Sequence, residues 1–505
     1  MKYVDNFLNG ITMYKLVLYG LCVLVGVTII LGFLGFLPYS GMSFIYSILV
    51  LVITCWVSNL VLARIFRVQA NTESYFITAL ILFFLLFPIT AWSDVTIFVI
   101  AGVLAMASKY VLAIQKKHIF NPAAISAFIL GLFGSSAVAW WVGGTTMLVP
   151  VVVLGFLVLR KVKRFELFFA FILTCLASIY AFGLMHGGTL SEIFTSNFIS
   201  GPAFFFGMIM LTEPLTTPPS RKLRIIYGLI VGALFGVSFE IGPVYSTPEL
   251  ALIIGNLFSY IVSPRARLVL TLVAKNKLSA DVYEFVWKSE TPLKYKPGQY
   301  LEWTLGHSHA DIRGNRRYFT ISSSPTEADL RLGIKFYENS SSFKKKLESL
   351  EPGKQIVASQ LSGDFTMPED RKKKLVWIAG GIGVTPFRSM AKYLADKGEK
   401  RDAILFFSNR TPQDIVYKDI FSEAGAKSGL KTIYAVNDLA GESLTHDMRA
   451  GYINAEMITK EVPDYKDRMF YISGPRGMIV AFEDALKKMG VPRKNIKTDF
   501  FPGFV

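Results

Sequence analysis

The chain has 505 residues, 52% of them hydrophobic, and a formal net charge of +16. That is more than one domain's worth of chain, and a mean hydropathy of +0.43 excludes a protein that is water-soluble throughout. The apolar residues are concentrated: residues 1–263 carry 14 Lys/Arg and 8 Asp/Glu, whereas residues 264–505 carry 39 and 29. The first half therefore reads as a membrane domain and the second as a soluble one. Charges of alternating sign in the basic second half argue against a nucleic-acid partner and suit an anionic lipid surface.

Apolar runs at roughly 14–36, 42–64, 75–91, 94–115, 122–137, 138–160, 165–184, 198–212, 225–241 and 248–263 predict about ten membrane spans. The polar stretch 1–12 ahead of them shows no cleavable signal peptide. Basic residues fall in alternate gaps: Arg64 and Arg67, Lys116 and Lys117, Arg160 to Arg164, Arg221 to Arg224, then Arg265 and Arg267. The other gaps hold acids such as Asp94, Glu192 and Glu249. Both termini are thus predicted in the cytoplasm, in a multi-pass protein of the cytoplasmic membrane. Lys109, inside the fourth run, reads as a snorkelling side chain.

Three stretches of this half stand out. In KHIFNPAAISAF (117–128), Asn121 and Pro122 at a span entrance suit either a ligand-facing turn or a plain helix start with proline in its first turn. HGGTLSEIFTS (186–196) is a long outer-face loop, or simply a hydrated connector. GPAFFFGMIMLTEPLTTPPSRK (201–222) ends a Gly-rich span in a cytoplasmic loop rich in hydroxyls, with Thr212 and Glu213 at the boundary.

Residues 264–368 show short alternating strands with turn signals, which predicts a small β-barrel. Within it, RYFTISSSP (317–325) places Arg317 and Phe319 one strand-step apart on one face, followed by Thr320 and Ser322. Arginine grips a pyrophosphate through forked donors, and an aromatic ring offers a stacking surface. Tyr300 in PGQY is expected beside them. Lys335 and the hydroxyls Ser340, Ser341 and Ser342 lead into a short helix, a setting suited to an anion. Residues 369–505 read as an α/β domain with a parallel sheet. KLVWIAGGIGVTPF (374–387) is strand, glycine turn, helix: Gly380, Gly381 and Gly383 allow a close approach to a pyrophosphate, and Thr385 and Pro386 open the helix. Ser408 and Arg410 are placed to meet an adenosine ribose or its 2′-phosphate, and Gly474 and Pro475 form a second turn. The chain ends KTDFFPGFV.

The strand 317–325 and the ordered motifs after it resemble the ferredoxin reductase family, where Tyr is usual at the place of Phe319. That resemblance covers 264–505 and implies an FAD-binding barrel with an NAD(P)-binding domain. It also implies catalytic roles for Phe319 and Thr320, a turn at Gly363 and Asp364, and a C-terminal aromatic over the flavin (Phe501, with Phe504 second). In the first half, IFNPA (119–123) and LTEPLTTP (211–218) resemble the flavin-bearing membrane subunits of the Rnf complex and of the sodium-translocating NADH:quinone reductase. Glu213 stands where those families have Asp. HGGTL (186–190) takes the place of their flavin-bearing segment, which makes Thr189 the candidate attachment point for FMN. The alternative is noncovalent FMN or riboflavin held by Asn121 and Thr212.

Together these features predict a membrane flavoenzyme. It would oxidise cytoplasmic NADH or NADPH through FAD and pass electrons into or across the membrane, to a quinone or an outer-face flavoprotein. A hydrocarbon core roughly 30 Å thick requires a carrier within it. Redox-coupled ion translocation and plain quinone reduction are the alternatives. Haem is excluded as the carrier, because His118 and His186, the only histidines of the first half, lie in loops on opposite faces. The cysteines Cys22, Cys55 and Cys175 sit in apolar runs at unrelated spacings, so no iron–sulfur cluster or other metal site is expected.

Overall fold

The computed structural model describes residues 2–66, 72–114, 117–134, 137–185, 187, 189, 191, 194–263, 268–307, 311, 314–439, 441 and 443–499. They form two compact units, Met1–Arg265 and Ala266–Phe504.

The first unit is helical: α1 Lys2–Asn9, α2 Met13–Phe33, α3 Gly41–Ile65, α4 Thr72–Leu85, α5 Trp92–Val111, α6 Pro122–Leu132, α7 Thr145–Val162, α8 Phe165–Met185, α9 Arg221–Phe235 and α10 Pro248–Val262. Among the described residues, five of these (α2, α3, α5, α7 and α8) are long and apolar enough to cross a membrane. The apolar helices α4, α6 and α10 are shorter. The run at 198–212 is not one helix. It breaks into the π-helical turns Thr195–Ile199 and Phe206–Met210 around a short turn Ala203–Phe205, because Gly201 and Pro202 interrupt the hydrogen-bond ladder. Thr12, Ser40, Ser220 and Thr247 cap α2, α3, α9 and α10, each side chain accepting a first-turn N–H.

Glycines spaced by four set the tightest helix contact of this unit. A methyl added at Gly228 or Gly232 of α9, or at its C-cap Gly236, would lie 2.8, 2.5 and 2.7 Å from backbone atoms of Leu167, Phe171 and Ile179 on α8. Only glycine allows that approach.

The second unit contains two six-stranded sheets. β1 Leu268–Lys277, β2 Val282–Ser289, β3 Tyr300–Thr304, β4 Arg316–Thr320, β5 Leu330–Lys335 and β6 Gln355–Ser362 pair antiparallel in the order β4-β3-β6-β1-β2-β5. The two ends of that order meet where Ser322 N–H donates to the Arg331 carbonyl at 2.9 Å. β7 Leu375–Gly380, β8 Ala403–Asn409, β9 Lys431–Val436, β10 Met448–Ala450, β11 Met469–Ser473 and β12 Ile496–Asp499 form a parallel sheet in the order β10-β9-β8-β7-β11-β12. β7 is buried at every position, as a central strand covered on both faces must be. The helices of this unit are α11 Ser342–Glu348 (on the antiparallel side), α12 Thr385–Lys397, α13 Lys418–Ser428, α14 Ala455–Glu461 and α15 Arg476–Lys488.

The two sheets are tied by a buried ion pair. Arg388 of α12, 4% exposed, forks onto both carboxylate oxygens of Glu327 and donates to the Ser322 carbonyl at 3.2 Å. Ser389 donates to the Ser323 carbonyl at 2.5 Å. Removing one charge strands the other. Glu327→Gln is expected to destabilise the second unit by about 3 kcal/mol, read as a lowered denaturant midpoint with unchanged slope. A second pair responds to pH. Hydrogen bonds from Arg468, aided by Lys374, hold the Asp464 carboxyl at about 2, below its ordinary 3.8. Its contribution is therefore complete above the ordinary value and lost as pH falls through about 2. Asp464→Asn should cost about 1 kcal/mol at neutral pH, and acid unfolding curves of mutant and parent should converge near pH 2.

Candidate functional site

β4 presents its odd residues to one side and its even residues to the other. Arg317 is 2% exposed. Its Nη1 donates to the carbonyls of Gly314 (3.0 Å) and Arg316 (2.7 Å), and its Nη2 lies 3.5 Å from Asp311 Oδ1. The guanidinium sits 5.2 Å from the Phe343 ring, and Phe319 packs against the same ring at 6.0 Å. The even side carries Tyr318, whose hydroxyl donates to Glu302 at 2.8 Å and whose ring meets Tyr300 edge-on at 5.7 Å. Thr320 pairs with Tyr300 in the ladder and donates to Asp499 Oδ2 at 3.3 Å. That contact brings the end of β12 to the end of β4. Phe501 and Phe504 lie outside the described residues.

The remaining sequence-predicted residues fall into two groups. Ser341 caps α11. Ser342 N–H donates to Asp311 Oδ2 at 3.0 Å, while Asp311 N–H donates to Ser342 Oγ at 2.9 Å. Arg317 and Ser342 are thus gathered around Asp311, a residue that no motif or periodicity marked. Lys335 and Ser322 stand apart from this group. Lys335 pairs with Asp281 at 3.0 Å. Ser322 is fully buried at the contact between the sheets, where its carbonyl serves Arg388.

On the parallel sheet, strands run outward on both sides from β7, so the order reverses between β7 and β11. Ligands of such sheets bind at the carboxyl ends of the strands at that reversal. The turns after these two strands are pressed together. A methyl at Gly383 would lie 2.6 Å from Gly474 Cα, and one at Gly380 would collide with Met478 Sδ and lie 3.1 Å from Pro475. Gly381 differs: it has φ +52° with open space where a side chain would begin. Thr385 and Pro386 start α12 and are buried. Ser408 is the β8 partner of Gly380, and Arg410, 76% exposed, lies 3.5 Å from Asp414. Burial raises the Tyr417 hydroxyl well above its ordinary value, and Arg388 sits 5.7 Å over its ring.

In the first unit, the two motifs of the membrane half come together. Asn121 Nδ2 donates to Glu213 Oε2 at 2.9 Å, and Asn121 N–H donates to Asn256 Oδ1 at 2.8 Å. Asn256 in turn donates to the Tyr227 hydroxyl at 3.0 Å. Asn121 Oδ1 caps α6 through Ala123 and Ala124, and Thr212 Oγ1 bonds back to Met208 O at 2.8 Å. The polar groups of Asn121 and Thr212 are therefore engaged by the fold. Thr189 is exposed.

Residues 269–366 match the oxidoreductase FAD-binding domain family, and residues 377–484 match the oxidoreductase NAD-binding domain family. The chain is similar to the glycine betaine monooxygenase reductase subunit of Chromohalobacter salexigens, 28% identical over 228 residues, which cover 44% of this chain and 60% of that protein. It is also similar to NADH oxidoreductase HCR of Escherichia coli, 26% identical over 200 residues, covering 39% and 58%. Among solved structures, the FAD/NAD-binding domain of a Vibrio cholerae nitric oxide dioxygenase matches at 20% identity and a TM-score of 0.41, covering 47% of this chain and 99% of that one. The chain spans about 60% of the length of the curated relatives it matches. The second half thus consists of the paired flavin and nicotinamide domains of an oxidoreductase. The pair is of the ferredoxin reductase-like NAD(P)H oxidoreductase type.

These residues fit FAD. A buried guanidinium beside an aromatic ring is a phosphate grip, and its present partner, the Asp311 carboxylate, has the charge of a phosphate oxygen. Arg317→Ala should leave the purified protein with less than about a tenth of the parent's FAD, read by absorbance after extraction, whereas Lys335→Ala should retain it.

Proposed function

We propose that the chain is a membrane flavoenzyme that oxidises NAD(P)H at its second unit and delivers electrons to the membrane half. The observation that carries this is the contact of Thr320 with Asp499, which brings the carboxyl edge of the parallel sheet to the strand bearing Arg317 and Phe319. Bound FAD would supply the chemistry, accepting a hydride from NAD(P)H and releasing electrons singly. Arg317 holds phosphate charge, Phe319 offers a ring face, and Asp499 orients the Thr320 hydroxyl. The open backbone at Gly381 admits the dinucleotide phosphates, and the packed turns at Gly383 and Gly474 fix that backbone in place.

The membrane assignment rests on the five long apolar helices. The further features of the proposal are about ten spans, a closed FAD barrel, both termini cytoplasmic, and domains at 1–263, 264–368 and 369–505. The motifs at 119–123 and 211–218 support a first half of the type found in the Rnf membrane subunit. A core roughly 30 Å thick calls for a carrier, and Thr189, exposed on its loop, is the candidate site for covalent FMN. The electron acceptor is a quinone or an outer-face flavoprotein. A second reading, redox-driven ion translocation, is favoured by Glu213, whose carboxylate lies in a polar network with Asn121, Thr216 and His118. Ion flux into vesicles during NADH oxidation separates the two.

Flavin analysis tests the main reading. The purified protein should release about one FAD per chain on acid precipitation, and flavin remaining with the pellet should disappear in Thr189→Ala. No FAD in the supernatant would refute the oxidoreductase reading. Only FAD, with nothing bound to the pellet, would refute the covalent carrier.

A further inference from the structure

β5 turns its even residues, Leu330, Leu332 and Ile334, into the core of the antiparallel sheet, and its odd residues, Arg331, Gly333 and Lys335, to the other face. Arg331 and Lys335 are engaged by acids of the same sheet, Glu284 at 2.6 Å and Asp281 at 3.0 Å. Between them, Gly333 leaves a stretch of bare backbone that is nonetheless buried. Glycine weakens a strand interior, and its presence there often marks a close approach by another part of the molecule. Here the approach comes from the parallel-sheet half. A methyl at Gly333 would lie 2.7 Å from Tyr417 Oη, 2.9 Å from Thr385 Cγ2 and 3.4 Å from Ile382 Cδ1.

Those three atoms belong to the carboxyl edge of the parallel sheet. Ile382 lies in the turn Gly381–Val384 after β7, Thr385 begins α12, and Tyr417 immediately precedes α13. They are poorly placed to yield. Tyr417 holds φ +61°, a left-handed conformation that bulky side chains rarely adopt, and Arg388 sits 5.7 Å over its ring. Thr385 is β-branched and buried in the first turn of its helix. Through Gly383 the same turn is pressed against Ser473 and Gly474, so the glycine loop is gripped by the turn after β11 as well as by β5. Carbon atoms pack at about 3.5–4.0 Å, so a methyl at Gly333 would displace this seat by about 1 Å. Transfer between bound partners tolerates little of that: reacting atoms must stand about 3–3.5 Å apart, and a misplacement of about 1 Å costs about a hundredfold in rate. We infer that Gly333 is a positioning residue for the oxidoreductase reaction, the seat that fixes the glycine loop, and a nicotinamide dinucleotide held by it, against the flavin-binding sheet. The inference rests on the proposed roles of the two sheets.

The test uses the full-length protein in detergent. Single-turnover bleaching of the flavin by NADH and by NADPH gives a limiting rate and a half-saturating concentration. FAD per chain and amide hydrogen exchange over residues 380–388 are measured alongside. Gly333→Ala should lower the limiting rate at least about tenfold, while FAD per chain and the half-saturating concentration stay within about threefold of the parent. Exchange in the loop should quicken. Tyr417→Phe deletes the atom nearest the added methyl. In that background the loss caused by Gly333→Ala should shrink to within about threefold, the contact with Thr385 leaving the remainder. Tyr417→Trp, which crowds the same seat from the opposite side, should slow flavin reduction likewise, and it carries the test if Gly333→Ala does not accumulate. An unchanged limiting rate, a rate loss that only follows loss of FAD, or equal losses in the two backgrounds would overturn the assignment of Gly333. A parent that holds FAD yet is bleached by neither nicotinamide would instead refute the nicotinamide role of the parallel sheet.

Discussion

The turns after β7 and β11 touch backbone to backbone, with a methyl at Gly383 only 2.5 Å from the Ser473 carbonyl. The rest of the nicotinamide half depends on that contact. It places the start of α12 at the reversal of the sheet, and the strain-free left-handed Gly381 then leaves the loop open on its outer side. Because α12 begins there, its Arg388 and Ser389 fall opposite the carbonyls of Ser322 and Ser323. The residues that fix the glycine loop thus also dock the two sheets. The same docking lets Asp499 reach Thr320.

Buried guanidinium groups impose the second constraint, since a charge removed from water must be paired. Arg388 meets this requirement with Glu327 and a carbonyl, which makes it part of the frame. Arg317 meets it with two carbonyls and the Asp311 carboxylate across 3.5 Å. The two arginines are equally buried but differ in what surrounds them. Glu327 sits within the docked interface, fixed by Arg331 at 3.2 Å and by the Ser324 N–H at 2.7 Å. Asp311 belongs to a loop and is held by the first residue of α11. Glu327 is thereby held by Arg388, Arg331 and a backbone N–H, whereas Asp311 meets Arg317 and the start of α11.

Residues whose role is set by local backbone geometry were legible in the sequence. The glycine turn at 380–383, the Pro386 helix start, and the Arg317–Phe319 spacing along a strand all act through conformations that neighbouring residues impose. Partners supplied from far along the chain were not legible. Asp499 meets Thr320 across 179 positions, and Arg388 meets Glu327 across 61. Asp311 is a single acid in a loop, where no periodicity exists to mark it. The burial of Ser322, Ser323 and Ser324 was not legible either, since it comes with the docking of α12, whose Arg388 and Ser389 reach the carbonyls of the first two. The broken run at 198–212 shows the limit of hydropathy, which registers apolar length and is blind to a Gly-Pro break.

In the first unit that break belongs to a wider pattern. After α4 the chain leaves the helical ladder at Leu86, which bridges Val138, and Phe87 N–H donates to the Ala137 carbonyl at 2.9 Å. Trp140, with φ +51°, donates its own N–H to the Leu85 carbonyl, and its indole donates to Glu249 at 2.5 Å. Non-helical backbone is tolerated at membrane depth only where other protein groups satisfy it, and here each exposed end is met by another short element. The polar network at Asn121, Glu213, Asn256 and Tyr227 obeys the same rule with side chains. These residues therefore hold short helices together first. Substituting any of the four would cost its buried partner a hydrogen bond.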